Sequence, residues 1–121
     1  MNTGKLPNEL MNKLLAKIHS NDPRVILGPS LGEDAAIIAM ENRNLVVSSD
    51  PITFTSTDIG WYAVHINAND IATRGAKPLW FLATILAPPD TNEATIENVL
   101  SQIKETCNSV SYTHLTLPTK A

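Results

Sequence analysis

A single cysteine, Cys107, stands in the 121 residues. An internal disulfide is therefore excluded, and a reducing, cytoplasmic setting is expected. Long apolar runs are also missing. The longest stretch free of charge, histidine and proline, Leu79 to Ala87, covers nine residues, far short of the roughly 20 a membrane span needs. Lys5, Glu9 and Lys13 interrupt the start, so the pattern of a secretory signal is not there. Basic residues are few and scattered, nine against twelve acids, for a net charge of −3. That balance argues against nucleic acid or an anionic membrane as partner. Five glycines leave little room for a phosphate loop. Gly28 to Gly32 lacks the Gly-Lys-Ser/Thr ending, and Gly4-Lys5 is too short to count.

What is present is an ordinary folded composition, 43% apolar and 17% charged, in a chain long enough for one domain or a piece of one. Leu10, Met11, Leu14, Leu15 and Ile18 share a helical face after Pro7. Asn21-Asp22-Pro23 ends that helix. Arg24–Leu27, Ala35–Met40 and Leu45–Ser49 read as strands, the last two joined as a hairpin by the turn 41–44. A long helix capped by Thr57 or Asp58 runs to about Arg74 and stops at Gly75. Leu79–Leu86 reads as a strand buried on both faces. Asp90, with Glu93 in a capping box, opens a last helix whose buried stripe is Ile96, Val99, Leu100 and Ile103. The class is mixed α and β.

After Asn108 the character changes. Val110 to Thr119 contains no acid; read physically it is a Thr-rich strand. The same ten residues resemble the reading-frame translation of a transposon-end adapter. The expected organisation is accordingly an incomplete domain over 1–109 and a non-native, adapter-like tail over 110–121.

Acids stand at element boundaries. Asp34 opens one hairpin strand and Asp50 closes the other, at the end opposite the turn, with no lysine on either strand. Two carboxylates held close call for a cation or a proton, and Mg²⁺ takes few carboxylates together with substrate phosphates. Asp34 as a strand-entry turn and Asp50 as an Asx turn are the plainer alternatives. Asp58 reads as a helix cap and Glu33 as solvated. Asp70 is the only formal charge between Gly60 and Thr73 apart from titratable His65. On the residues alone, a ligand role for it and an ion pair with Arg74 stand level. His65 reads as structural, Cys107 as a small buried hydrophobe, and Trp61, Tyr62, Trp80 and Phe81 as core or interface residues.

Three stretches carry a resemblance: Gly28-Pro-Ser-Leu-Gly-Glu-Asp34-Ala-Ala-Ile-Ile, Leu45-Val-Val-Ser-Ser-Asp50-Pro-Ile-Thr, and Asp58 through Asn67-Ala-Asn-Asp70 to Pro78-Leu. In this order they resemble the N-terminal domain of the AIR synthetase (PurM-like) superfamily, nearest to AIR synthase-related and HypE-like members. The resemblance implies an α/β (α+β) domain, a small mixed sheet of about four strands with helices on one face, and a homodimer formed through the sheet. It implies ATP and Mg²⁺ as cofactors, with Asp34, Asp50 and Asp70 at the metal and phosphates and Asn67 as a neighbouring contact. It thereby moves Asp70 toward the ligand role. The implied chemistry is ATP-dependent phosphoryl transfer to a small-molecule, amide-type or protein acceptor, carried by a parent enzyme of which this piece alone is inactive. Thiamine-monophosphate kinases of the superfamily show two aspartates where Glu33-Asp34 stands here, and HypE uses a far C-terminal cysteine not found in this chain. A non-catalytic nucleotide-binding dimeric module, a thiamine-monophosphate kinase-like enzyme and a plain structural domain are the competing expectations.

Overall fold

Proline and aspartate punctuate the start of the chain. In the computed structural model, which describes residues 4–53 and 57–110 and the backbone of 113–116 and 119–120, two compact units emerge, Met1–Ser48 and Ser49–Ala121. In the first, Pro7 occupies the N-cap of helix α1 (Asn8–Leu15). It has no N–H to leave unsatisfied, and its carbonyl accepts the Met11 N–H at 2.9 Å. A 3₁₀ turn, Ala16–Ile18, continues the helix. The expected apolar stripe is on it, yet no residue of α1 is buried, and Leu14 and Ile18 stay exposed. Asp22 then turns the chain: its Oδ1 accepts the Arg24 N–H at 2.9 Å, and its Oδ2 meets the guanidinium at 2.7 Å. The guanidinium hydrogen bonds hold this carboxyl down at about 2.

Strands β1 (Val25–Leu27), β2 (Ala36–Met40) and β3 (Arg43–Val47) follow, forming an antiparallel sheet in the order β1-β2-β3. Its register runs from Ala36↔Val47 to Met40↔Arg43. The hairpin therefore turns on Glu41-Asn42 alone, and β3 begins two residues before the expected Leu45. Arg43 and Asn44 read as turn residues by type, but cross-strand pairing satisfies their backbone groups while their side chains remain in water.

The second unit contains helix α2 (Ile59–Ala72), strands β4 (Trp80–Leu82) and β5 (Ile85–Leu86), helix α3 (Glu93–Val110), and strands β6 (Thr113–Thr116) and β7 (Thr119–Lys120). Its core joins Val64 and Ala68 of α2, Phe81 of β4, and Ile103 and Cys107 of α3. Burying Val64 and Cys107 completely leaves no slack at the helix–helix contact. Gly60 marks the closest approach of the two helices. A Cβ there would lie 2.7 Å from Gln102 Cβ and 2.9 Å from the Val99 carbonyl. At the far end of α2, Gly75 adopts φ +68°, and the N–H groups of Arg74 and Gly75 bond back to Ile71 and Ala72, as the glycine stop predicts.

Four expectations change here. The run Leu79–Leu86 is not one strand buried on both faces: it divides into β4 and β5, with Phe81 buried while Leu79, Trp80, Leu82 and Leu86 are exposed. Nor do four strands share one sheet, since β4 pairs with β6 and β5 with β7, both parallel, apart from β1-β2-β3. The backbone of 113–116 and 119–120 is extended and runs beside β4 and β5 after the α3 crossover. Asp90 does not cap α3. Asn92 does, its Oδ1 accepting the Thr95 N–H at 2.8 Å. Trp61 and Tyr62, finally, lose the core alternative of their core-or-interface reading: they lie on an exposed side of α2, whose buried stripe is Gly60, Val64, Ala68 and Ile71. No helix among the described residues is long and apolar enough to cross a membrane.

Candidate functional site

Asp34 belongs to the first unit and Asp50, Asn67 and Asp70 to the second. Asp34 is exposed and sits two residues before β2. Its backbone carbonyl accepts the Ser48 hydroxyl at 2.9 Å, which closes the open end of the hairpin opposite Glu41-Asn42. That is the end at which the hairpin pattern places it.

In the second unit one side chain links the Asp50 backbone to α2. Asn67, in the middle of α2, donates its Nδ2 to the Ala63 carbonyl at 2.8 Å and to the Asp50 carbonyl at 3.2 Å. Both amide hydrogens are thereby committed to main-chain oxygens, and Oδ1 is left as an acceptor. The bond to Asp50 ties the segment that leaves the hairpin to the helix carrying Asp70. Asp70 follows Asn67 by three residues, on the neighbouring position of the same helical face. It is half-buried, while Asp50 is exposed. The Asp70 carbonyl accepts the Thr73 hydroxyl at 2.6 Å.

The N-terminus of α2 is closed by a residue that sequence reading did not single out. Asp58 occupies the N-cap without a side-chain cap bond. Gln102 of α3 takes the role instead: its Oε1 accepts the Gly60 N–H at 2.9 Å, and its Nε2 donates to the Thr57 carbonyl at 2.6 Å. Only the helix pairing brings residues 42 and 45 positions apart together, so no local pattern signals it. This first-turn N–H is thus spoken for and does not offer itself to a phosphate.

His65 stacks on Trp61 with ring centroids 4.2 Å apart and a 45° tilt, and Trp61 meets Tyr62 edge-on at 5.1 Å. This is a structural contact, as expected of a lone histidine. Cys107 is fully buried, and desolvation pushes its thiol up to about 11. In the first unit a cleft of about 390 Å³ runs between Leu15, His19, Val25, Gly28 and Leu31; it draws in none of the four candidate residues.

Every side-chain atom these four candidates offer is a hard oxygen, apart from the Asn67 amide nitrogen already engaged. Among the described residues no three of His, Cys, Asp and Glu gather closely enough to hold a metal ion. Such a set suits Mg²⁺ shared with phosphates and water, and does not form an all-protein cage.

The model of the AIR synthase related protein, N-terminal domain, matches residues 32–116. The chain belongs to that family. The match takes in Asp34, Asp50, Asn67 and Asp70. Over 97% of its length the chain is 29% identical to a hydrogenase expression/formation protein of Methanocaldococcus jannaschii and 26% identical to carbamoyl dehydratase HypE of Rhodobacter capsulatus. It is 33% identical over 63% of its length to thiamine-monophosphate kinase of Pyrococcus abyssi. It spans 37%, 35% and 27% of those three proteins. The solved structure of AaThiL complexed with AMPPCP and TMP superposes with a TM-score of 0.71 at 17% identity, covering 98% of this chain and 40% of that one. The fold is therefore that of this mixed α/β family.

Proposed function

We propose that this chain is the nucleotide-binding part of an ATP- and Mg²⁺-dependent protein that transfers a phosphoryl group to a small-molecule or amide-type acceptor. The observation that carries the reading is the Asn67 bridge, which ties the Asp50 segment to the helix bearing Asp70 inside the stretch that the family model matches. The relatives support it: one is a carbamoyl dehydratase, others are thiamine-monophosphate kinases, and the AaThiL structure holds AMPPCP.

In this reading the carboxylates of Asp50 and Asp70 and the Oδ1 of Asn67, all in the second unit, hold Mg²⁺. The ion, when bound, offsets phosphate charge. The residues themselves supply position. Asn67 spends its donors on the main chain, so it presents an acceptor to an ion, a bound water or a hydroxyl, and repels a bare phosphate oxygen. Two copies pair through the strands. The exposed Trp80, Leu82 and Leu86 support that part of the proposal.

Titration calorimetry with Mg·ATP tests the reading. The chain binds; Asp50→Asn and Asp70→Asn weaken binding at least about tenfold, the cost of one lost charged contact, with the fold unchanged by circular dichroism. A chain that binds no Mg·ATP, or variants with unaltered affinity, refute it. A thiamine-monophosphate kinase-like activity is the second reading, favoured by the fold match and by the Pyrococcus abyssi relative. Phosphate transfer from ATP to thiamine monophosphate separates it from other acceptors. ATP binding without transfer to any acceptor points to an assembly module.

A further inference from the structure

We infer that Gln102 is a positioning residue for the nucleotide site, acting through the N-terminus of α2, the helix that carries Asn67 and Asp70. This rests on the nucleotide reading above. Two side-chain amides of the second unit donate to main-chain carbonyls that precede α2. Asn67 holds the Asp50 carbonyl at 3.2 Å, and Gln102 holds the Thr57 carbonyl at 2.6 Å. Gln102 also accepts the Gly60 N–H at 2.9 Å. One planar amide thus bonds to the last residues before α2 and to its first turn together.

The packing leaves Gln102 little freedom to do otherwise. Its Cβ lies 2.7 Å from where a Cβ on Gly60 would stand, so the glycine is what admits α3 this close. Neighbouring Ile103 is buried at 2% exposure and sets the position of α3 against α2. The rotation of α2, and with it the direction of Asn67 and Asp70, is therefore referred to α3 through a bidentate contact. A donor and an acceptor are both required. Glutamine is the side chain that supplies the two at this length; glutamate supplies the donor only when protonated.

That difference gives the test. Gln102→Leu and Gln102→Glu are made in the full chain, and Mg·ATP affinity is measured by calorimetry from pH 4 to pH 8 relative to the unaltered chain at each pH. Gln102→Leu weakens binding roughly tenfold at every pH, as loss of two hydrogen bonds that orient a site should. Gln102→Glu binds as weakly at pH 8, where its carboxylate faces the Thr57 carbonyl, and recovers to within about twofold at pH 4, where most of a carboxyl with the ordinary glutamate pKa of about 4.3 is protonated and donates again. Loss of thermal stability without this pH-dependent recovery of affinity overturns the positioning role and leaves a helix cap. Wild-type affinity in both variants overturns it as well. A chain that binds no Mg·ATP in the first place refutes the nucleotide reading itself and removes the positioning role with it, and is told apart because the unaltered protein then fails too.

Discussion

Cys107 is packed at zero exposure between α2, α3 and Phe81, and its thiol shows how a single residue reports the fold. Desolvation raises it from the ordinary 9.0 to about 11. The unfolded chain gives up this proton near 9.0 while the folded chain keeps it to about 11, so the folded state binds more protons across that window. Stability is then full below 9 and falls as pH rises toward 11, by about 2–3 kcal/mol in all. A Cys107→Ala variant lacks that component: its urea midpoint falls less between pH 8 and pH 11 than that of the unaltered chain. A native thiol that reacts with alkylating reagents at pH 8 as fast as in urea contradicts the burial. At the same scale the candidate acids were legible as residue types at element ends. The role of Asn67 was legible only as a neighbouring polar residue, because its two carbonyl partners are set by helix geometry and by the path of the Asp50 segment.

Among the elements, periodicity found all three helices and located the hairpin, since a buried stripe and a turn are local facts. Caps proved less local. Asp90 and Glu93 have the spacing of a capping box, yet the helix starts at Glu93 and Asn92 caps it. Asn92→Ala consequently destabilises the chain by about 1 kcal/mol, whereas Asp90→Ala is near neutral; thermal unfolding of the two variants decides between the positions. The cap of α2 comes from a different helix altogether, through Gln102. Its sequence signal is a glutamine in a helix, indistinguishable from any solvated one. The split of Leu79–Leu86 has a related cause. A continuous apolar run specifies that both faces avoid water, without specifying that this chain covers both.

For the whole molecule the informative quantity is apolar surface that the chain leaves open. Leu79 is 49% exposed, Trp80 55%, Leu82 64% and Leu86 76%, all within one short stretch. Contiguous exposure of this kind marks an interface, and the proposed homodimer would use it. Light scattering should give twice the chain mass at micromolar concentration, and Leu82→Lys, which places a charge on that surface, should return the monomer. A monomer before the substitution would contradict the pairing. The match of residues 32–116 to one family sits beside coverage of 37% or less of the relatives, so acceptor choice is a question for the longer protein.

The amino-acid sequence by itself determined the family, the mixed class, the helices, the hairpin and the list of acids, because each of these rests on residue type, order or spacing along the chain. Tertiary structure decided which groups meet: Asn67 with Asp50, Gln102 with Gly60 and Thr57, Phe81 inward and Trp80 outward. Those pairings depend on how closely two helices approach, and that distance is set by a glycine and a buried core far apart in the sequence. With one cysteine and no phosphate loop, the proposed site rests on oxygen ligands alone, and the fold is what positions them.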